Sequence, residues 1–260
     1  MKIDVTPLVS VIMPVHNSEV YLRDSVSSVL GQSVENLELI VVDDASTDHS
    51  LAILNEIASL DPRVVCIALE DNRGAAQARN VALANAHGLY VAFLDSDDYW
   101  EPEKLEKQLK IMEITDCSIC TCGYRMHYED SNKRNSDRIF HVLTRITYED
   151  LLRVNYFSCS TLVLNRKLVP KDMFDSSLVH EDYGAWLSLM KNGRVACGID
   201  EPLATYRIRE GSRSHNKVSA ARGRWVALAE CTDETLMKRI ILFIQYAISG
   251  VRKYGSRYEE

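Results

Sequence analysis

The chain has 260 residues, 46% of them hydrophobic and 26% charged, with 11 Gly and 6 Pro; this balance excludes disordered, collagen-like and disulfide-scaffold proteins and allows a substantial core. A net charge of −7, from 37 acidic and 30 basic side chains, excludes broad binding to nucleic acid, which needs a basic footprint. The imbalance is uneven: residues 207–260 hold 11 Lys and Arg against 6 Asp and Glu, a net of +5 that leaves −12 for residues 1–206, and a basic tail on an acidic body suits an anionic surface or a phosphorylated ligand.

The opening Met-Lys-Ile-Asp-Val-Thr-Pro lacks the apolar segment of a secretion signal, so a cytoplasmic location is expected. Seven scattered cysteines, an odd number, suit reduced thiols in that compartment. Cys117, Cys120 and Cys122 lie in a strand-like stretch without a second ligand pair, which fits buried strand cysteines better than zinc.

Val9 to Val15 is a continuous apolar run, short enough for a strand buried on both faces. Asn17-Ser18 is expected to cap the helix that follows, marked by Tyr21, Leu22, Val26, Val29 and Leu30. Leu37 to Val42 repeats the strand pattern and runs into Asp43-Asp44; Ser46-Thr47-Asp48 then caps a helix carrying Leu51, Ile53, Leu54 and Ile57. Val64 to Leu69 predicts a third strand, Ala75 to Ala86 an Ala-rich helix closed by Gly88 at positive φ, and Tyr90 to Leu94 a fourth strand. Strands alternating with helices imply an α/β fold with a mainly parallel, Rossmann-like sheet flanked by helices, and ligands then bind beyond the carboxyl ends of the strands. Asn17, Asp43-Asp44 and Asp95-Ser96-Asp97 stand at such ends.

Beyond Pro102 the pattern gives a charged helix over Glu103 to Met112, the Cys-rich strand and a polar loop from Glu129 to Arg138. A buried strand over Ser160 to Leu164, a helix over Asp182 to Lys191 and a short strand over Glu201 to Arg207 follow. Leu236, Ile240, Ile244, Ala247 and Val251 recur at helical spacing, widened by Leu242, Phe243 and Ile248, and Lys238, Arg239 and Gln245 make the run too polar to span a membrane. This helix lies on a membrane surface, with Arg252, Lys253 and Arg257 beside it, or packs on its own domain or a second subunit of a homodimer.

Phe93-Leu94-Asp95-Ser96-Asp97-Asp98-Tyr99-Trp100 sets three carboxylates directly after an apolar strand, which costs stability unless something cationic neutralises them. Oxygen ligands on a short turn suit Mg²⁺ or Mn²⁺, with substrate phosphates and water filling the other positions; the alternative is that Asp97 or Asp98 caps the next helix.

Four motifs follow one another in register: Val9 to Asn17, Val41-Val42-Asp43-Asp44-Ala45-Ser46-Thr47-Asp48, Asn72-Arg73-Gly74 with Ala78-Arg79-Asn80, and Asp95-Ser96-Asp97. Together they resemble the nucleotide-sugar domain of family 2 glycosyltransferases, the inverting group with the GT-A fold, of the type that builds bacterial surface polysaccharide. The resemblance is strong over residues 8–102, fair to 215 and weak beyond. It implies a glycosyltransferase domain over 1–215, with a nucleotide-binding half (1–102) and an acceptor-binding half (103–215), and a C-terminal helical extension over 216–260.

It also implies roles for individual residues. Pro14, His16, Asn17 and Glu19 would line the nucleotide pocket, and Asp44 would accept the uracil N3–H, a role that Asp43 shares or leaves in order to cap the next helix. Asn72 and Arg79 would hold the donor, and Gly74 would let the backbone approach. Asp95 in the Asp95-Ser96-Asp97 turn would bond the ribose, and Asp97 would ligate Mn²⁺ or Mg²⁺ at the diphosphate. In His180-Glu181-Asp182-Tyr183, Asp182 would be the base that deprotonates the acceptor hydroxyl, with Glu181 as its rival. Arg213 and His215 would belong to a loop closing over the donor, His215 completing the metal shell or lying on the surface. Trp186 would stack on an acceptor sugar or pack in the core, and Trp100 is open in the same way.

The implied function is transfer of a sugar, from a UDP-sugar, to a glycan or lipid-linked saccharide at the inner face of the cell membrane, in O-antigen, capsule or lipopolysaccharide synthesis. Two other classes remain: a non-catalytic nucleotide-sugar-binding module, and a sugar nucleotidyltransferase. The second lacks its usual Gly-rich phosphate loop in Pro14-Val15-His16-Asn17, and a dinucleotide-binding dehydrogenase lacks its Gly-x-Gly-x-x-Gly after the first strand.

Overall fold

The structure is a computed structural model and describes residues 6–129, 137–178, 180–208 and 217–253. Ten strands form one sheet: β1 (Val9–Val15), β2 (Leu37–Asp43), β3 (Val64–Ala68), β4 (Tyr90–Phe93), β5 (Tyr99–Trp100), β6 (Ile119–Tyr128), β7 (Arg138–Phe140), β8 (Arg145–Thr147), β9 (Val163–Asn165) and β10 (Val195–Ile208). The helices are α1 (Leu22–Leu30), α2 (Ser50–Leu60), α3 (Gly74–Ala84), α4 (Lys104–Thr115), α5 (Tyr148–Arg153), α6 (Glu181–Met190), α7 (Lys217–Glu230) and α8 (Leu236–Lys253).

The strand order is β3-β2-β1-β4-β9-β6-β10-β5, with β7 paired to β6 and β8 to β10. Strands β1 to β4 are parallel, as the alternation with helices predicts. The far half is mixed: β9 runs antiparallel to both β4 and β6, while β10 runs parallel to β6. Alternate residues of the parallel strands feed two cores. Ile12, Ile40, Val91 and Phe93 pack with α3 and α6; Val11, Leu39, Val41 and Ala92 pack with α1, α2 and α4.

The ends of the predicted elements shift for local reasons. Neither Asn17-Ser18 nor Ser46-Thr47-Asp48 supplies the N-cap itself, since Tyr21 and His49 stand there without a side-chain cap bond. Asp48 still bonds the Ser50 amide at 2.9 Å. Gly88 lacks the expected positive φ, and α3 closes at Asn85. Gly88 is needed for close approach instead: a Cβ there would lie 2.5 Å from the Ser10 amide nitrogen of β1. The stretch Ser160 to Leu164 divides into a 3-10 turn, Cys159–Thr161, and the start of β9.

Not all seven cysteines are unpaired. Cys117 and Cys197 form a disulfide, whereas Cys120 and Cys122 are buried strand thiols as expected. Burial pushes the Cys120 thiol up to about 12 and that of Cys122 up to about 11.

α8 is half embedded. Leu242 is buried with the core and Phe243 packs edge-on to Trp225 at 5.5 Å, while Leu236, Met237, Ile240, Ile241 and Ile244 are exposed. Among the described residues, no helix is long and apolar enough to cross a membrane.

Candidate functional site

The parallel strands β1, β2 and β4 deliver their carboxyl ends to one edge, where the motif residues gather. Pro14 lies inside β1, opposite Val42, and is buried. The chain then turns at Asn17, whose φ of 50° is the left-handed conformation that Asn tolerates. The Asn17 carboxamide oxygen accepts from the Thr47 amide at 2.8 Å, tying the β1 turn to the β2 turn.

His16 Nδ1 lies 2.9 Å from the Asp44 carbonyl oxygen, which can only accept, so Nδ1 carries the proton and Nε2 is left to accept from Asn17 Nδ2 at 3.3 Å. Asn72 Nδ2 lies 3.1 Å from both ring nitrogens. His16, Asn17 and Asn72 are thus joined and exposed, open to a ligand. Glu19 is occupied differently: it accepts from the His49 amide at 2.8 Å and pairs with the His49 ring at 2.7 Å, at the start of α2.

Asp43 and Asp44, both buried, divide the work at the end of β2. Asp44 accepts from the Arg73 amide at 2.7 Å and the Gly74 amide at 2.8 Å, one on each oxygen, and so anchors the amino end of α3. Gly74 has φ +82°, and nothing lies within 4 Å of where its Cβ would be. Its positive φ already calls for glycine, and the space beside it is open. Asp43 Oδ2 accepts from the Ser46 amide at 3.1 Å in the turn ahead of α2 and does not cap that helix, and its Oδ1 is buried with no partner among the described residues.

After β4 the acid turn is held from three directions. Ser160 Oγ donates to Asp98 Oδ2 at 2.5 Å and accepts from the Asp95 amide at 3.2 Å. The Arg207 amide, from β10, donates to Asp98 Oδ1 at 3.0 Å, and Arg207 Nη1 donates to the Asp97 carbonyl at 3.2 Å. Ser96 Oγ meets Ser18 Oγ at 2.7 Å. Burial, then the neighbouring charges of Asp97 and Asp95, hold the fully buried Asp98 carboxyl well above the usual range. Asp98 is thus spent inside the fold, and Asp95 and Asp97 are the partly exposed acids of the turn.

α6 brings Glu181 and Asp182 to the same edge. Arg79, on α3, donates to Asp95 Oδ1 at 2.6 Å and to Glu181 Oε1 at 3.0 Å, bridging the turn and the helix. Its guanidinium is buried and both Nη atoms have carboxylate partners. Burial and the adjacent Glu181 push the Asp182 carboxyl up, against the pull of Arg79. Trp186, one turn on, is fully buried against Phe93, Phe174 and Phe157, which settles it as core. Trp100 is buried too, and its indole donates to the Ser160 carbonyl at 2.7 Å.

The donor set suits a divalent cation of the Mg²⁺ type. Asp95 gives one oxygen to Arg79 and Asp98 gives both to the fold, and Asp97, partly exposed between them, is a further carboxylate of the turn that could meet such an ion. No group of three or more His, Cys, Asp and Glu able to hold an ion occurs among the described residues, so a substrate diphosphate and water would complete the shell. Arg213 and His215 lie outside the described residues.

The family model for glycosyl transferase family 2 matches residues 10–176. The chain belongs to that family. As a family 2 glycosyltransferase it is 41% identical over 247 residues to TuaG of Bacillus subtilis, named for teichuronic acid biosynthesis, covering 95% of this chain and 97% of that one. It is 36% identical to WfgD of Escherichia coli, a UDP-Glc:alpha-D-GlcNAc-diphosphoundecaprenol beta-1,3-glucosyltransferase, over 97% of each chain. Among solved structures, S. aureus TarS with UDP-GlcNAc superposes with a TM-score of 0.71 at 23% identity, over 95% of this chain and 74% of that one. Mannosyltransferase PcManGT from Pyrobaculum calidifontis, with GDP-Man and Mn²⁺, gives 0.70 at 17% identity, over 97% and 77%. These two likenesses establish the GT-A fold of this family 2 glycosyltransferase.

Reading the sequence did not single out Ser160 or the site role of Arg207. Both reach the acid turn across the sheet, and neither lies in a local motif; the only available signal was that three clustered acids need donors.

Proposed function

We infer that the chain transfers a sugar from a UDP-sugar to a hydroxyl of a lipid-linked glycan acceptor, with inversion at the anomeric carbon, in surface polysaccharide synthesis. The observation that carries this reading is the convergence of the acid turn after β4 and the Glu181–Asp182 pair on one edge of the sheet, joined through Arg79. The relatives named for undecaprenol-linked glucosyl transfer and teichuronic acid synthesis support the substrate class. Residues 1–102 hold the nucleotide, 103–215 the acceptor, and 216–260 form the helical extension.

In this reading His16, Asn17 and Asn72 meet the nucleoside, and the spare Asp43 oxygen, beside Asp44, accepts the base imide N–H. Asp95 and Ser96 border the ribose. Asp97 holds Mn²⁺ or Mg²⁺, which when bound offsets charge on the leaving diphosphate. Asp182 takes the proton of the acceptor hydroxyl as its oxygen bonds to the anomeric carbon. The bond from that carbon to the diphosphate breaks on the opposite face, releasing UDP. The exposed apolar stripe of α8 rests on the membrane that carries the acceptor.

Calorimetric titration with UDP, with and without Mn²⁺, followed by a screen of UDP-sugars for UDP release, tests this. Metal-dependent UDP binding with turnover of one donor is expected. Asp182→Asn should keep UDP affinity and lose about 10² to 10⁴ in turnover, and Asp97→Asn should weaken metal and UDP binding together. Binding without any turnover, or pyrophosphate release from UTP and a sugar phosphate, would replace this reading with one of the other two classes.

A further inference from the structure

Among the described residues, Arg79 is the guanidinium that bonds both Asp95 and Glu181, yet it is only 3% exposed. Its Nη2 lies 2.6 Å from Asp95 and its Nη1 3.0 Å from Glu181, residues 16 and 102 positions away in the chain. The Phe174 ring covers the guanidinium at 5.3 Å. A planar fork whose two arms are given to two carboxylates fixes the distance and angle between them, which a flexible ammonium cannot do. With both Nη atoms already given to carboxylates and the side chain 3% exposed, Arg79 presents little accessible surface to a donor phosphate.

Resting on the function inferred above, we propose that Arg79 is a positioning residue, not a donor contact: it clamps Asp95 at the end of β4 to Glu181 at the start of α6. The clamp makes Glu181 a fixed counter-ion, leaves Asp182 as the base, and ties the base to the donor side. The groups that face Asp182 are Glu181 on its own helix, His180 just before it, Arg79 from α3 and Cys159 from the turn before β9, with Asp95 sharing Arg79. Glu181 disfavours the ionised Asp182, while Arg79 and His180 favour it. Loss of Arg79 therefore shifts the acid limb of turnover to higher pH.

The test measures kcat, donor KM and the pH profile for wild type, Arg79→Met, Arg79→Lys and Glu181→Gln, with unfolding of each. Arg79→Met should lower kcat at least tenfold, change donor KM less than threefold and move the acid limb up by about one pH unit. Arg79→Lys should return the acid limb toward wild type while kcat recovers only in part, since a point charge restores the field but not the two-armed geometry. Glu181→Gln, which can still accept from Arg79, should keep turnover within tenfold of wild type.

A tenfold rise in donor KM with an unmoved pH profile in Arg79→Met would make Arg79 a donor contact and overturn the clamp. So would a loss in Glu181→Gln as deep as that of Asp182→Asn, which would name Glu181 as the base. If the wild type turns over no donor, it is the functional reading that fails. The clamp is then decided by a double-mutant cycle of Arg79→Met and Glu181→Gln in unfolding: a coupling of tenfold or more in the folding constant supports it, and additive effects overturn it.

Discussion

Lys104 occupies a position that ordinarily costs a protein stability. It is fully buried in the first turn of α4, its Nζ has no hydrogen-bond partner among the described residues, and its only compensation in view is the Trp100 ring, 3.9 Å from ammonium to centroid. Burial pushes the ammonium down to about 8 from its ordinary 10.5, against the opposing pull of the Cys122 and Cys120 thiols. Below about pH 8 both the folded and unfolded chains carry the proton, so the cost of burying the charge is present in full. Between about 8 and 10.5 the folded chain has released a proton that the unfolded chain still holds, so this group makes stability rise with pH; above that range its effect is constant. Lys104→Met should therefore stabilise the protein at pH 7 by about 2 kcal/mol. Thermal unfolding of both proteins at pH 7 and pH 10 checks this: the gap should shrink at the higher pH, and a gap that stays constant would remove the ammonium as its cause. The sequence hid this residue. In a charged helix expected over Glu103 to Met112, a lysine belongs on the wet face, and only the fold over Trp100 puts it inside.

Elements were legible where one period ruled. The four parallel strands and α1 to α3 follow from uninterrupted apolar runs alternating with 3.6-residue spacing, and their predicted ends fall within a few residues of the observed ones. The second half broke that rule for physical reasons. β9 is three residues of antiparallel strand inserted between β4 and β6, too short to show a period. β10 runs for 14 residues through register shifts around Pro202, so only its second part was visible as a strand. Glycine roles were likewise not readable from position alone. Gly88→Ala would drive a methyl group against the Ser10 amide and Val9 carbonyl carbon of β1, and would disturb the 2.7 Å bond from the Gly88 amide to Ser10 Oγ. Because β1 carries both cores and cannot shift cheaply, a loss of about 2 kcal/mol is expected. Gly74→Ala meets no atom and should cost only the strain of positive φ, about 1 kcal/mol. Urea unfolding midpoints rank the two variants, and equal midpoints would refute the close-approach account of Gly88.

At the scale of the whole molecule, the site faces one end of the sheet while α8 offers an apolar stripe that is exposed among the described residues. Leu236, Met237, Ile240, Ile241 and Ile244 fall within one side of the helix at 100° per residue, and all are at least 40% exposed. Leu242 is buried on the opposite side and the Phe243–Trp225 pair fastens the edge beside Leu236, so the helix cannot roll to hide the stripe. Between Leu236 and Lys253 there is no acidic residue, and Lys238, Arg239, Arg252 and Lys253 are basic. Lys238 is held by Glu149 and Glu234 and Arg239 by the Thr232 carbonyl, but an apolar stripe on a helix without acids has the character of a surface that would suit an anionic bilayer, as proposed above. The chain should co-sediment with vesicles containing phosphatidylglycerol, bind less to pure phosphatidylcholine and be released by 0.5 M salt, on the order of ten times the ionic strength that leaves surface charges effective over 20 Å. Ile241→Ser with Ile244→Ser should weaken vesicle binding by about a thousandfold, since each removes on the order of 2 kcal/mol of apolar burial, about thirtyfold, without lowering the unfolding temperature, because both side chains are exposed in the folded chain. If vesicles fail to bind and the wild type instead sediments as a dimer that the same double substitution separates, the stripe is a subunit interface and the acceptor reaches the site without help from α8.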